Sequence, residues 1–457
     1  MPSGPLAPDP PGQAGPRALL GWMLFDWACQ PFFTLVTTFI FAPYFAGVLA
    51  PDAVRGQALW GYATAAAGFV LALLSPLLGS LADAHGARKP WIAASCLVLG
   101  VASAALWFAR PGLPQAVPLA LGAFAVAMVA AEVAAVFNNA MMVRLVGARA
   151  LGRLSGRGWA IGYAGGFLSL LLMLGLIMAR PETGRTLVGL PPLFGLDPGL
   201  REGDRASGPF TAIWLLVFVW PLFAFTPDAP ASGLPLREAV RQGWRRLALT
   251  LSEVRRSPPL LRFLAANLIY QDAIVAVSAF GGIYGAGMFG WSATELGLFG
   301  IMLTVIGTIG SLIGGWLDDR FGARSVIMGS LVILVVVCLG FAVVGKGRVL
   351  FLETGPGGPG LYGSLPEKIF LVLGLVYGGV IGPLQASARS LIARSVPEAD
   401  AGRYFGLLAM SGKATSFLAP LMVAAATQAT GSLAAAPLIL VVFFIAAALL
   451  MRGALRV

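Results

Sequence analysis

The sequence predicts an all-α membrane protein of about twelve spanning helices, arranged as two parallel six-helix bundles. Three observations predict it. Of 457 residues, 58% are apolar and 11% charged, less than half the charged share of an ordinary soluble domain, about 25%. Runs without a charge, such as Pro90–Ala109 and Val326–Gly345, reach the roughly 20 residues that a bilayer core requires. A set of polar signatures in the first half also recurs in the second. With a mean hydropathy of +0.84, a soluble enzyme is excluded.

The elements follow in order. Residues 1–18, rich in Pro and Gly, have no basic segment ahead of a short apolar one, and read as a disordered cytosolic tail. Apolar runs between turn and charge punctuation predict spans at 19–48, 59–81, 90–109, 115–142, 156–179 and 210–226, an N-terminal bundle over 19–226. Segment 227–259 predicts a cytosolic central loop. Within it Leu236, Val240, Trp244, Leu247, Leu251 and Val254 recur at helical spacing beside Arg237, Arg241 and Arg245. That is an amphipathic helix on the inner leaflet, or a linker whose arginines mark topology. Spans at 260–288, 294–317, 325–345, 367–392, 404–429 and 433–451 make a C-terminal bundle over 260–457.

The net charge is +11, and its placement carries the information. Connections on the side of the N-terminus hold 21 Lys and Arg, Arg389 counted among them, against nine on the other side. The positive-inside rule puts both termini in the cytosol of a cell membrane, for a bacterial chain the inner one. The charge is thus a topology signal, and nucleic acid is excluded as a partner. Cys29, Cys96 and Cys338 lie far apart in apolar segments and read as small buried hydrophobes.

Gly79-x3-Asp83-x2-Gly86-x-Arg88 recurs as Gly315-x3-Asp319-x2-Gly322-x-Arg324, an offset of 236. Arg144 and Gly152-Arg153-x2-Gly156 recur as Arg394 and Gly402-Arg403-x2-Gly406, an offset of 250. Each pair follows the second or the fourth span of its half, on the cytosolic side both times. The halves are therefore parallel repeats, a transporter architecture. Asp83 with Arg88, and Asp319 with Arg324, are candidates for a conformational latch across the cytosolic seam.

These loops resemble the hallmark of the major facilitator superfamily, with Ala84 and Ala87 in place of two usual basic residues. Within it the sequence resembles the vacuole-effluxer branch, through Phe25-Asp26-Trp27-Ala28, Phe137-Asn138-Asn139-Ala140, Ser155-Gly156-Arg157-Gly158-Trp159, Ala388-Arg389-Ser390-Leu391 and Ser411-Gly412-Lys413-Ala414-Thr415. Departures include Cys29-Gln30 for Asn-Ser, Gln271-Asp272-Ala273 for Asn-Asp-Gly, and Val143-Arg144 for Pro-Asp. The resemblance implies the major facilitator fold, with spans 1, 4, 7 and 10 lining a central cavity, and amino acids as a solute class.

Charges inside a bilayer are costly, so each is a candidate for function. Asp26 in span 1, Glu132 in span 4, Asp272 in span 7 and Lys413 in span 11 lie within predicted spans. At about 1.5 Å per residue, Glu132 sits about 18 Å from Arg144 and Lys413 about 15 Å from Arg403, near mid-membrane. No other cation reaches that depth, so Lys413 needs Glu132, Asp272 or a solute carboxylate as partner. Asn139 shares a helical face with Glu132, and Gln271 precedes Asp272. The candidate solute and ion path is therefore Asp26, Glu132, Asn139, Gln271, Asp272 and Lys413. Helix–helix contacts and structural ion pairs are the alternative reading of each.

Enzyme readings fail on inventory. The single histidine, His85, has no second ligand near it in sequence, and Gly285-x-Gly287-x2-Gly290 ends a membrane helix with no strand before it. Gly412-Lys413 lacks the rest of a phosphate loop, and no cofactor or metal is expected. The expected function is a monomeric secondary transporter that moves a small polar solute, such as an amino acid, by alternating access coupled to a proton. The alternatives are an exporter of a larger amphipathic compound or lipid, and a transport-dead sensor or scaffold.

Overall fold

The computed structural model describes residues 14–455 apart from 181–182, 234–235, 292, 351, 356, 359, 414, 416–417 and 431–434. Of the expected tail, residues 1–13 lie outside the described residues, whereas Pro16 already begins a helix. Among the described residues ten helices are long and apolar enough to cross a membrane. They are spans 1 to 10 of the sequence reading. Span 11 is described over two helical segments, Ala401–Lys413 and Leu418–Thr430, and span 12, Ala435–Arg452, is short.

Local chemistry sets the ends. Asp52 caps the second span, Ala53–His85, accepting from the Arg55 N–H at 2.8 Å. Ser364 and Glu367 form a reciprocal capping box that starts the tenth, Leu365–Ser395. Gly86 and Gly322, at equivalent repeat positions, stop the second and eighth spans with φ of 90° and 84°. A side chain is disfavoured there, which explains one glycine of each signature. Span 6 corrects the prediction: it runs Glu202–Phe225, starting eight residues before the expected 210. Its first turn therefore holds Glu202, Asp204 and a buried Arg205, whose guanidinium donates to the Trp107 carbonyl and stacks 4.8 Å over the Trp107 ring. Arginine this close to a helix end buries its stem while its head finds a carbonyl.

Span 1, Pro16–Leu49, is α-helical over Pro16–Pro31 and again over Phe41–Tyr44. Phe32–Phe39 and Phe45–Leu49 are π-helical, and the Thr37 and Thr38 hydroxyls both donate to the Phe33 carbonyl. The central segment holds the expected helix, Leu236–Arg256, and one residue separates it from span 7, Pro258–Tyr284. On the side away from the termini, three short antiparallel strands, β1 Val344–Gly345, β2 Arg348–Val349 and β3 Leu352–Glu353, follow span 9, Ala323–Val343. The corresponding connection of the first half, 109–115, carries no strand.

The two halves meet through equivalent helix pairs. A Cβ on Gly79 of span 2 would run into the Gly402 carbonyl of span 11, and one on Gly406 would strike Ser75 and Pro76. In the other copy, Gly315 of span 8 meets Gly152 and Gly156 of span 5 in the same way. Glycines here let two backbones touch, the small-residue packing that membrane helices use in place of a hydrophobic drive.

Candidate functional site

Those crossings carry the two repeated aspartates, the expected latch residues. Asp319 accepts from the backbone N–H groups of Gly152 and Arg153 at 2.9 and 3.1 Å, and from the Arg153 Nε at 2.7 Å. Asp83 accepts from the N–H groups of Gly402 and Arg403 at 2.9 and 2.8 Å. Each half thus gives its aspartate to the first turn of a helix in the other half, where orphan N–H groups and the helix dipole favour an anion. The offsets of 236 and 250 in the sequence are the two sides of one crossed contact.

The partners of the two aspartates differ. Arg88 reaches Asp83 at 3.3 Å and the Glu398 carbonyl of the other half at 2.9 Å. Arg324 does not act for Asp319 as the repeat suggested. It donates to the Arg452 carbonyl, and Asp319 is taken by Arg153 and by Arg394, which also binds Asp318. Ala82 stands where Asp318 would be in the first copy, so charge is concentrated on one side of the seam.

Beyond the latch lies a cavity of about 560 Å³ between the halves. Its floor near the termini is formed around Asp26 and Arg389; its far end reaches Thr38 and Phe39, which are exposed. The molecule is closed at the end that carries its termini and open towards the other. Glu132 and Lys413, from opposite halves, form an ion pair of 2.8 Å on its wall. The two side chains are 18% and 33% exposed.

Arg389 is a functional candidate that the sequence reading missed, having assigned it to the cytosolic connections. It projects from span 10 into the first half and is buried. Its Nη1 donates to Asp26 at 3.2 Å and Asn139 at 3.0 Å, its Nε to the Ser155 hydroxyl at 2.8 Å, and its Nη2 to the Ser155 carbonyl at 2.6 Å. The Trp22 ring covers its guanidinium at 4.9 Å. Every nitrogen is used, so Asp26 and Asn139 serve first to hold this side chain. Lys413 therefore shares the cavity lining with a second cation, one set closer to the termini. The available signal was spacing: Arg389 lies five residues before Arg394, about 7 Å deeper along the helix.

Gln271 lines the cavity and exchanges two amide hydrogen bonds with Gln385, at 2.5 and 3.0 Å. Its neighbour Asp272 points elsewhere. Asp272 is buried outside the cavity lining, with Oδ2 accepting from the Ala419 N–H at 3.1 Å, in the first turn of the second segment of span 11. Oδ1 has no hydrogen-bond partner among the described residues. Of the expected solute and ion path, Asp272 is thus the member that does not line the cavity: a helix advances by about 100° per residue, so adjacent residues face different neighbours. Among the described residues no group of three or more His, Cys, Asp or Glu is placed to hold a metal ion.

Residues 148–455 match the family model described as vacuole effluxer Atg22 like. An uncharacterized MFS-type transporter of Bacillus subtilis, YxiO, is 26% identical over 434 residues, which cover 93% of this chain and 91% of that protein. Autophagy-related protein 22 of Yarrowia lipolytica is 25% identical over 64% of this chain, and the match spans 48% of that fungal protein. Among solved structures, the major facilitator superfamily transporter FucP of E. coli, in its outward conformation, aligns with a TM-score of 0.68 at 16% identity, over 97% of this chain and 99% of its own. The human organic anion transporter MFSD10 aligns with 0.68 at 15%, over 95% and 99%. At such identities the structures show the fold alone, and the fold is that of the major facilitators.

Proposed function

We propose, for a chain that belongs to the Atg22-like vacuole effluxer family and is a membrane transporter of the major facilitator type, that it moves a small zwitterionic solute such as an amino acid by alternating access. One observation carries the reading: a cavity between the halves, closed at one end by a separable latch, holds a half-buried acid–base pair on its wall, one charge from each half. Rocking the halves would part Asp83 and Asp319 from their helix termini and present the same cavity to the other side. Glu132 and Lys413 satisfy each other in the empty state. A zwitterion entering between them offers Lys413 its carboxylate and Glu132 its ammonium, so both charges stay paired while the bond across the seam is released.

Proton coupling is assigned to Asp272, whose Oδ1 has no hydrogen-bond partner among the described residues and so offers a place for a proton. The termini are assigned to the cytosol of a cell membrane by the positive-inside rule, and the transporting unit to the monomer, since the cavity is built from one chain. The test is uptake of a panel of radiolabelled amino acids into proteoliposomes, with and without a pH gradient. Saturable uptake accelerated by the gradient is expected. Absence of uptake across the panel, with correctly inserted protein, rejects the solute class; uptake indifferent to the gradient rejects the coupling.

A further inference from the structure

The central segment is docked on the latch as a strap. Asp228 accepts from the N–H groups of Arg88 and Lys89 at 3.0 and 2.8 Å, and the Ser232 N–H donates to the His85 carbonyl at 2.8 Å. In the helix Leu236–Arg256, Gly243 lies against the Leu81 backbone of span 2, where a Cβ would come within 3.3 Å. About two turns further on, the buried Thr250 accepts from the Arg403 Nη1 at 2.8 Å. Glu253 pairs with the Arg403 Nη2 at 3.3 Å and accepts from the Tyr404 hydroxyl at 3.0 Å.

This breaks the symmetry of the two latch copies. Arg153 turns its guanidinium onto Asp319, but its repeat equivalent Arg403 gives its guanidinium to the strap and to Asp400, leaving Asp83 to Arg88. Because the helix touches span 2 of one half and span 11 of the other, it cannot keep both contacts once the seam parts.

The same geometry lays the helix along the ends of the spans, at the level of lipid headgroups. Its contacts run from the last turn of span 2 to the first turn of span 11, and it joins span 7 through Ser257 alone. On the flank away from these contacts, Arg241, Trp244, Ala248 and Arg255 are exposed at i, i+3, i+7 and i+14 spacing, one face of a helix. Trp244 is 56% exposed, an aromatic of the kind that settles at a membrane interface. Glu238 offsets part of the Arg241 charge at 2.8 Å, while Arg255 and Arg256 extend the basic surface at the other end.

We propose that this helix is a lipid-anchored strap: its Arg241, Trp244 and Arg255 flank binds acidic headgroups on the termini side of the membrane, and its Thr250 and Glu253 edge holds Arg403 and the closed seam. Each basic side chain near an anionic surface strengthens attachment about fivefold. Anionic lipid then favours the closed seam to the extent that it binds the strap better there than after opening.

The test measures the spin-label distance between Arg149→Cys and Ala399→Cys, on exposed connections of the two halves, in the full-length protein. Vesicles of phosphatidylcholine are compared with vesicles in which about a third of the lipid is phosphatidylglycerol. The short-distance population is expected to gain about tenfold over the long one in the anionic vesicles. Trp244→Ala combined with Arg241→Gln and Arg255→Gln should abolish that gain, and Arg255→Lys should keep it. Glu253→Gln should lower the short-distance population in both lipids. Identical distributions for the unmodified strap in the two lipids, or a full lipid response in the triple flank variant, would overturn the proposal.

Discussion

Inverting the Glu132–Lys413 pair separates what the two side chains do for each other from what they do for a solute. At 2.8 Å two unit charges attract by about 6 kcal/mol at an effective dielectric constant of about 20, and by about 1.5 kcal/mol in bulk water. Exposures of 18% and 33% admit water to the pair, so the net value falls towards the lower figure. It also lies between the 0–1 kcal/mol of a surface pair and the roughly 3–5 kcal/mol lost on breaking a buried one. Lys413→Ala should therefore cost about 2 kcal/mol, with a matching loss of resistance to thermal unfolding. The double variant Glu132→Lys, Lys413→Glu should recover most of that resistance. Uptake should not recover. The inverted pair faces each end of a zwitterion with its own sign, while Asp26, Asn139 and Gln271 stay as they were, so half-maximal uptake should need about 30-fold more solute. Both quantities are read on one preparation, by thermal unfolding in detergent and by proteoliposome uptake. If the inverted variant transports with unchanged affinity, the pair only braces the halves and the partner-exchange argument fails.

Asp319→Ala removes two backbone hydrogen bonds and the partner of Arg153 and Arg394. At about 2 kcal/mol, the closed-to-open ratio should fall about 30-fold; transport rate should drop while solute affinity stays within a few-fold, and a selective loss of affinity at preserved rate would contradict this. Gly79→Ala puts a methyl group against the Gly402 carbonyl, so distance measurements across the seam should show a depleted closed state, whereas Gly61→Ala, at a position with open space, should leave it unchanged. Asp272→Asn keeps an acceptor for the Ala419 N–H but no longer titrates. Exchange of labelled solute should persist while acceleration by a pH gradient disappears, and a retained gradient response would assign Asp272 to helix capping alone.

The fold was legible because bilayer physics leaves few choices: apolar length between charged and turn residues determines the spans. Span 6 was misplaced because Glu202, Asp204 and Arg205 read as loop charges, although in the structure they satisfy one another and the Trp107 carbonyl. The latch aspartates were legible from the repeat, but their partners were not. A motif marks positions within one half, and Arg153, Arg394 and the Gly402 amide reach Asp319 or Asp83 only once spans 5, 8, 10 and 11 have packed. The cost of an unpaired ammonium in lipid required a partner for Lys413 but left Glu132, Asp272 and a solute carboxylate open, and only the packed halves bring Glu132 to it. Arg389 was hidden by its place near the end of span 10, since an arginine six residues from a helix end looks like a surface residue until Ser155, Asp26 and Asn139 are seen around it.

The short strands after span 9 account for a number in the repeat. The two signatures recur at offsets of 236 and 250, so 14 residues entered the second half, or left the first, between them. Span 9 ends at Val343 and span 10 begins at Leu365, a connection of 21 residues; in the first half Phe108 and Ala116 are separated by seven. The difference is the whole 14. Lengthening that connection adds little closure entropy and shifts no residue of the helices it joins. The duplicated halves have therefore diverged in length on the face away from the latch, while the residue spacing that carries Asp319 and Gly402 to their opposite numbers has been left untouched. A tag or a binding epitope inserted among 354–360 should for the same reason be tolerated by the seam.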